Sequence, residues 1–290
     1  VPNIENEDNE TVLKKLNLVD NQGKLRRAAI LLFGKEPQRY FFSSYFKIGK
    51  FRGTTELITD DVIEGNLFEQ FDRALEILKT KYIRLMVKGY KDWVRIEEFE
   101  YPEDVIREAI VNALVHKDYL GSHIQMKIFE DKITLWNSGT LLTGITIDEL
   151  KKPHGSVHRN ELISNTFYKA ELIEAWGRGT TFMVDECLKA DLPEPEYREH
   201  FGGFEITLHK DKLTEKYLRG LELNDRQIEI VFLAKKNSRI NNKFIVEKLN
   251  VSRQTVTNDL SLLIDKGIFE RKGSGAGSEY IVKLTKSTNA

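Results

Sequence analysis

A helix that is apolar on nearly every side has to be covered on nearly every side, and the stretch "EAIVNALVHKDY" contains most of one. Ile106, Ala109, Ile110, Ala113 and Leu114 repeat at i, i+3, i+4 and i+7, while Val105, Val111 and Val115 occupy much of the remaining circumference. Such a helix belongs inside a core. Yet Glu108, Asn112 and His116 fall four residues apart and form one polar stripe along it. The stripe is either a solvent-facing edge or the wall of a polar pocket. A carboxylate inside a core is rare unless it is paired or bound to something.

Composition narrows the class. At 40% apolar and 31% charged residues the chain is of ordinary globular type. No apolar run approaches the roughly 18 residues of a membrane span, and no signal peptide is present. The single cysteine, Cys187, excludes an intramolecular disulfide and fits a reducing, cytoplasmic setting. The formal charge of -1 is unevenly spread: Asn224–Ala290 carries 12 basic and 7 acidic residues, the remainder 32 and 38. A small basic module on an acidic body is a nucleic-acid-binding pattern. The first residue is Val rather than Met, from which an upstream segment is expected.

Along the chain, "NETVLKKL", "RRAAILLFG" and "NLFEQFDRALEILKTKYIRLM", the last capped by Asn66, read as helices. "YFKIGKF" reads as a strand, and "VKGY" with "WVRIEEFEYP" as a hairpin. Pro102 opens the Glu108 helix. "HIQMKIFE" and "KITLWNSG" are strands, followed by a breaker-rich loop over 139–158. "HRNELISNTFYKAELIEAWG" predicts one helix and "GRGTTFMVDECLKAD" a glycine turn into another. "LPEPEYREHFGGFEITLHK" predicts a strand pair, and "KDKLTEKYLRGLELN" reads as a charged linker. Glycines at a helix start let backbone N–H groups face an anion, so Gly177–Thr181 is a candidate phosphate turn; a tight helix–helix turn is the alternative. His154 and His158, with His116 and His123 upstream, raise a zinc alternative that no cysteine completes. Asp185 and Glu186 disfavour a thiolate at Cys187, which reads as a packing residue.

The order of Glu/Asn helix, strand pair, "NSG", long loop and "GRGTT" helix resembles the GHKL ATPase fold. More closely, "YPEDVIREAIVNALVHKDY", "WNSGTL", "HRNELI" and "LIEAWGRGTTFM" are similar to the RecG-related transcriptional regulators. In that family a GHKL-like domain usually follows a Schlafen/AlbA-type domain and often precedes a winged helix. "VLKKLNLVDNQGKLRRAAILLFGKEPQRYF" resembles its connecting region. The resemblance implies an α+β chain: a connecting α/β segment over 1–100, a GHKL-like (Bergerat-type) sandwich over 101–210, a linker over 211–223 and a winged helix over 224–290. It implies ATP and Mg²⁺ as cofactors. Asn112 then serves as the Mg²⁺ ligand, and the nucleotide site comprises Asn112, Asn137, Gly139, Gly177, Gly179 and Thr180. Glu108 positions the attacking water if the chain is an ATPase. Asn137 stands where the GHKL pattern has the Asp that holds adenine, so a weaker adenine grip is expected. His116 belongs to the related family's signature and reads as a core histidine. The chain has no G-x-x-x-x-G-K-[ST] loop, and helicase activity is unsupported.

The C-terminal quarter reads as helix, helix, turn, helix. In "VSRQTVTNDLSLLIDKGIFERKG", Ser252 is the N-cap and Val256, Leu260, Leu263 and Ile264 face the core. Arg253, Gln254, Thr255, Thr257 and Asn258 crowd the exposed first turns, and with Ser252 they are the candidate DNA contacts. "IFERKGSGAGSEYIVKL" predicts a two-stranded wing whose Arg271 and Lys272 suit phosphates. The module resembles winged helix-turn-helix domains, some of which bind protein instead. The expectation is a DNA-binding transcriptional regulator, a homodimer on duplex DNA, with the pocket as an effector site. An active Mg-dependent ATPase in DNA repair or defence and a protein–protein scaffold remain as alternatives.

Overall fold

The computed structural model describes residues 7–83, 85–91, 94–152, 155, 157–173, 179–211, 213–237 and 239–283. The chain divides into two compact units, Val1–Asp211 and Lys212–Ala290.

The first unit contains α1 (Asn9–Lys15), α2 (Arg27–Phe33), β1 (Phe46–Arg52), β2 (Glu56–Ile63), α3 (Leu67–Ile77), β3 (Leu85–Lys91), β4 (Val94–Phe99) and α4 (Glu103–His116). It continues through β5 (Ile124–Ile128), β6 (Lys132–Ser138), α5 (Glu161–Lys169), α6 (Gly179–Lys189), β7 (Glu196–His200) and β8 (Gly203–His209). Six strands form one sheet in the order β2-β1-β5-β6-β8-β7, and β3 pairs with β4 apart from it. Only the β1–β5 pairing is parallel within the sheet. Strands expected in the connecting segment and in the GHKL-like part thus share one sheet.

Register explains the two-layer architecture. Phe46 pairs with Ile63 and Ile124, Ile48 with Met126, Met126 with Leu135, and Leu135 with Ile206. These partners are all buried, so one face of the sheet is a continuous apolar surface. Helix α4 contributes Val105, Ile106, Ala109, Ile110, Val111, Ala113, Leu114 and Val115 to the same core. It packs against α3, α5, α6 and β6, which accounts for a helix with so little polar surface. Asn66 caps α3 as expected, in a reciprocal capping box with Glu69.

Two elements depart from the sequence reading. The helix expected to run through "AELIEAWG" ends at Lys169: Glu171 adopts φ +58°, and the Leu172 N–H reaches back to the Phe167 carbonyl. This is a Schellman-type stop without glycine. Strand β2, which its acidic "ELITDDVI" did not announce, forms an edge of the sheet.

The second unit contains α7 (Glu215–Gly220), α8 (Asp225–Asn237), β9 (Ile240–Asn241), α9 (Asn242–Leu249), α10 (Arg253–Asp265), β10 (Phe269–Lys272) and β11 (Glu279–Val282). Its strands form one sheet, β10-β11-β9, giving the winged helix-turn-helix arrangement. The charged stretch read as a linker folds as α7, and Leu213, Leu218 and Leu223 lie in this unit's core with Ile230, Val231, Val256 and Leu263.

Candidate nucleotide pocket and DNA-reading helix

In the first unit, α4, the end of β6, the loop after it and the start of α6 surround a cavity of about 130 Å³. Glu108, Asn112 and His116 line it from α4, Asn137 and Gly139 from the β6 end, and Gly179 and Thr180 from α6. The polar stripe therefore faces a pocket rather than a solvent-facing edge. Gly177 lies outside the described residues.

The side chains are positioned by local chemistry. Asn112 Nδ2 donates to Glu108 Oε1 at 3.0 Å, the i, i+4 reach of a helix. A β-carbon at Gly179 would overlap that same Oε1, so the glycine lets the Glu108 carboxylate lie against the first turn of α6. Asn137 is only 5% exposed. Its Nδ2 donates to the Ser138 carbonyl at 3.1 Å. That bond engages the NH₂ end of the amide, and the side chain lines the cavity. Gly139, at φ +106°, turns the chain sharply after β6, and its N–H donates to the Gly202 carbonyl at 3.0 Å. The following loop is tied down twice more: Leu141 N–H donates to Glu199 Oε1 at 2.5 Å, and Arg159 Nη2 donates to the Thr140 carbonyl at 2.6 Å.

Arg159 and His158 also line the cavity and were not assigned to it from the sequence. Arg159 lies in "HRNELI", whose neighbour Asn160 donates to the carbonyls of Val115 and Lys117 and so pins this segment to the end of α4. The His116 and His158 rings are 5.6 Å apart. Burial lowers the His158 pKa, against a smaller opposite effect of Glu161. His123 stacks on Tyr45 at 4.5 Å instead, and His154 lies outside the described residues. Among the described residues no group of three or more His, Cys, Asp or Glu is placed to hold a metal ion. Cys187 is buried, and burial pushes its thiol up to about 12.

In the second unit Ser252 caps α10, accepting from Thr255 N at 3.1 Å. Arg253, Gln254, Thr257 and Asn258 are exposed on its first turns, with Thr255 half-buried. Gln254 Nε2 donates to Asn258 Oδ1 at 3.1 Å, and Asn242 Nδ2 at the start of α9 donates to Thr257 Oγ1 at 3.0 Å. Arg271 folds its guanidinium onto Ser278 Oγ at 2.9 and 2.7 Å, fastening the β10–β11 hairpin. Lys272 pairs with Glu270 at 2.5 Å. Beneath the helix, Asp259 accepts from Arg226 Nε at 2.6 Å, Arg226 Nη2 at 3.2 Å and Gln227 Nε2 at 2.9 Å, which locks α10 to the start of α8.

Residues 121–208 match the family model described as "Putative ATP-dependent DNA helicase recG C-terminal", and residues 226–277 match a helix-turn-helix domain model. The chain thus carries a RecG C-terminal-like domain followed by a helix-turn-helix domain, an order consistent with a GHKL-like ATPase fold joined to a winged helix. The first match begins after α4, so Glu108 and Asn112 lie outside the matched span, although they line the same cavity as Asn137, Gly139 and Gly179. The DIP2311 protein from Corynebacterium diphtheriae is similar in fold, with a TM-score of 0.60 at 17% identity over 97% of this chain and 59% of that one. The chain therefore spans about three fifths of that solved relative. No curated protein matches it. Among the described residues no helix is long and apolar enough to cross a membrane.

Proposed function

We propose that this chain is a DNA-binding transcriptional regulator, acting as a homodimer on duplex DNA, whose RecG C-terminal-like pocket takes an adenine nucleotide as effector. The observation that supports the pocket's role is convergence: Glu108, Asn112, Asn137, Gly139, Gly179 and Thr180, drawn from three separate segments, line one cavity. Asn112, with its Nδ2 committed to Glu108, offers Oδ1 to a hard cation, and that donor suits Mg²⁺ shared with phosphate oxygens. Asn137 offers an acceptor to an exocyclic amino group, which an aspartate in that position would also do. The helix start with its N–H groups and dipole suits phosphate. In the second unit, Arg253, Gln254 and Asn258 are side chains that read base edges, and Ser252, Thr255 and Thr257 suit phosphate. Lys272 on the hairpin adds a phosphate contact.

The test pairs two titrations. Fluorescent ATP is titrated with and without Mg²⁺ into the parent and Asn112→Ala, and the loss of metal dependence in the variant is the expected result. Selected duplex DNA is then titrated at fixed salt with and without nucleotide, where a shift in DNA affinity is expected. Absence of ATP binding at millimolar nucleotide sinks the effector reading. Rapid steady-state hydrolysis that depends on Glu108 favours the ATPase instead.

A further inference from the structure

We infer that the end of the six-stranded sheet at which β1 and β5 begin is the face by which two copies of this chain pair; this rests on the homodimer proposed above and assigns its interface. The topology gathers three loops there. Strands β1 and β5 are parallel and start together, with Phe46 opposite Ile124. Strand β6 runs back along β5 and ends at the same place, where Ser138 pairs with Gly203 at the start of β8, and β7 ends there with His200 opposite Gly203. Residues 40–45, 118–123 and 200–203 therefore lie side by side, spread over about 20 Å at about 4.8 Å per strand. Hydrogen bonds tie them together. Ser43 Oγ donates to the Gly121 carbonyl, Ser138 Oγ donates to the Asp118 carbonyl at 2.9 Å, and the next residue, Gly139, donates its N–H to the Gly202 carbonyl at 3.0 Å.

These loops carry Tyr40, Phe42, Leu120 and Phe201, which are 72%, 88%, 77% and 93% exposed. At about 150–250 Å² for each aromatic, the four side chains offer on the order of 500–700 Å². A single chain rarely shows an apolar patch beyond a few hundred Å², and a stable pair buries roughly 800 Å² on each partner, so the four supply most of one half of an interface. Phe201 adds an independent sign. With Gly202 it forms the two-residue turn between β7 and β8, at φ +50° and +68°. Such turns favour Asn or Asp before Gly, and a bulky residue at positive φ is disfavoured. An aromatic held there almost fully exposed does nothing for the fold of its own chain. Charge decides the occupant. Residues 40–45, 118–123 and 200–203 contain one carboxylate, Asp118, and no lysine or arginine, in a chain that is 31% charged. Asp118 Oδ1 accepts from the Leu120 N–H at 3.0 Å. The flanking cations are engaged elsewhere: Arg39 pairs with Glu36 at 2.6 Å, and Lys117 is buried. A nucleic acid or an anionic membrane needs cations that this face lacks. A second copy meets it without like-charge repulsion, apolar loops against apolar loops about a two-fold axis, in the aromatic-rich and charge-poor composition of an interface core.

The experiment is sedimentation equilibrium of the full chain without DNA: the parent, Phe42→Ser, Phe201→Asn, and Leu57→Ser on the opposite, β2 side of the loops as a control. The parent is expected to dimerise at micromolar concentration. Phe42→Ser and Phe201→Asn, on two different loops, are each expected to weaken the dimer by about 100-fold or more, since each change is repeated in both partners. Leu57→Ser is expected to leave it unchanged. Trp136, whose Nε1 donates to the His200 carbonyl beside the turn, reports folding: its emission is expected to match the parent's, and dissociation seen only together with a red shift overturns the inference. A parent dimer that both loop variants keep at full affinity, or that Leu57→Ser weakens as much as they do, overturns this interface and leaves the homodimer standing. A parent that stays monomeric throughout the micromolar range overturns the homodimer together with this inference and leaves the face to a different protein partner.

Discussion

Replacing Arg226 by Met removes one half of a charged pair that fixes the recognition helix. Asp259, on α10, is 3% exposed and accepts three hydrogen bonds, two of them from Arg226. Without the guanidinium a buried carboxylate keeps only the Gln227 amide. Breaking a buried pair on one side costs about 3–5 kcal/mol. The Arg226 side chain is itself 37% exposed, so water screens part of the interaction and a loss of roughly 2–3 kcal/mol is expected. For a unit the size of Lys212–Ala290 this corresponds to a fall in Tm on the order of 10–20 °C. The assay can be confined to that unit. All three tryptophans, Trp93, Trp136 and Trp176, lie before residue 212, so fluorescence follows the first unit while far-UV circular dichroism follows both. The early transition should appear in the dichroism and not in the fluorescence. Adding Asp259→Leu to Arg226→Met removes the stranded charge and should recover most of the loss. A Tm within about 3 °C of the parent in the single variant, less than 1 kcal/mol produces in a unit of this size, or a double variant less stable than the single one, refutes the reasoning.

Three further outcomes are expected. Changing Arg253, Gln254 and Asn258 together to Ala should abolish sequence preference, at about 1–3 kcal/mol per lost base contact, in salt-controlled competition shifts; unchanged preference removes α10 as the reader. Lys117 is 1% exposed, and burial lowers its pKa from 10.5 to about 8. Below pH 8 the folded chain carries the full cost of a buried ammonium; between 8 and 10.5 the unfolded chain still holds the proton that the folded chain has released, so this residue's contribution to stability rises with pH. Lys117→Met should therefore be more stable at pH 7 by on the order of 2–3 kcal/mol, a gain that shrinks towards pH 10 in urea titrations; a constant difference across that range rejects the assignment. Glu222 holds φ +60° at the end of α7, and Glu222→Gly should stabilise the second unit by about 0.5–1 kcal/mol, the left-handed strain relieved less the added chain entropy. A lowered Tm speaks against strain at that position.

Much of the fold was legible where a local pattern and its tertiary consequence coincide. The circumference of α4 required a surrounding core, and Asn66 and Ser252 cap the helices that their spacing announced. The convergence of Glu108, Asn112, Asn137, Gly139 and Gly179 followed from a resemblance, not from spacing, since residues 70 positions apart give no local sign of meeting. The misses have separate physical causes. The helix stop at Glu171 places an ordinary side chain at positive φ, followed by a leucine, so the usual glycine signal is absent. Helix α7 was hidden because Leu213, Leu218 and Leu223 are few among charges, and their burial depends on α8 and its neighbours. Arg159 reaches the cavity through a loop path that no periodicity encodes.

The parallel pairing of β1 with β5 determines what can be inherited or transplanted as a piece. The span recognised as RecG C-terminal-like starts at residue 121, just ahead of β5, yet β5 is bonded on its far side to a strand some 75 residues earlier. A gene fragment opened at that point would encode a sheet with a raw interior edge, its row of N–H and C=O groups offered to any other chain. It would also leave the helix bearing Glu108 on the wrong side of the cut. Recombination that preserves this protein's chemistry therefore has its seam near residue 211, where the second unit begins, and not at the border that sequence similarity draws.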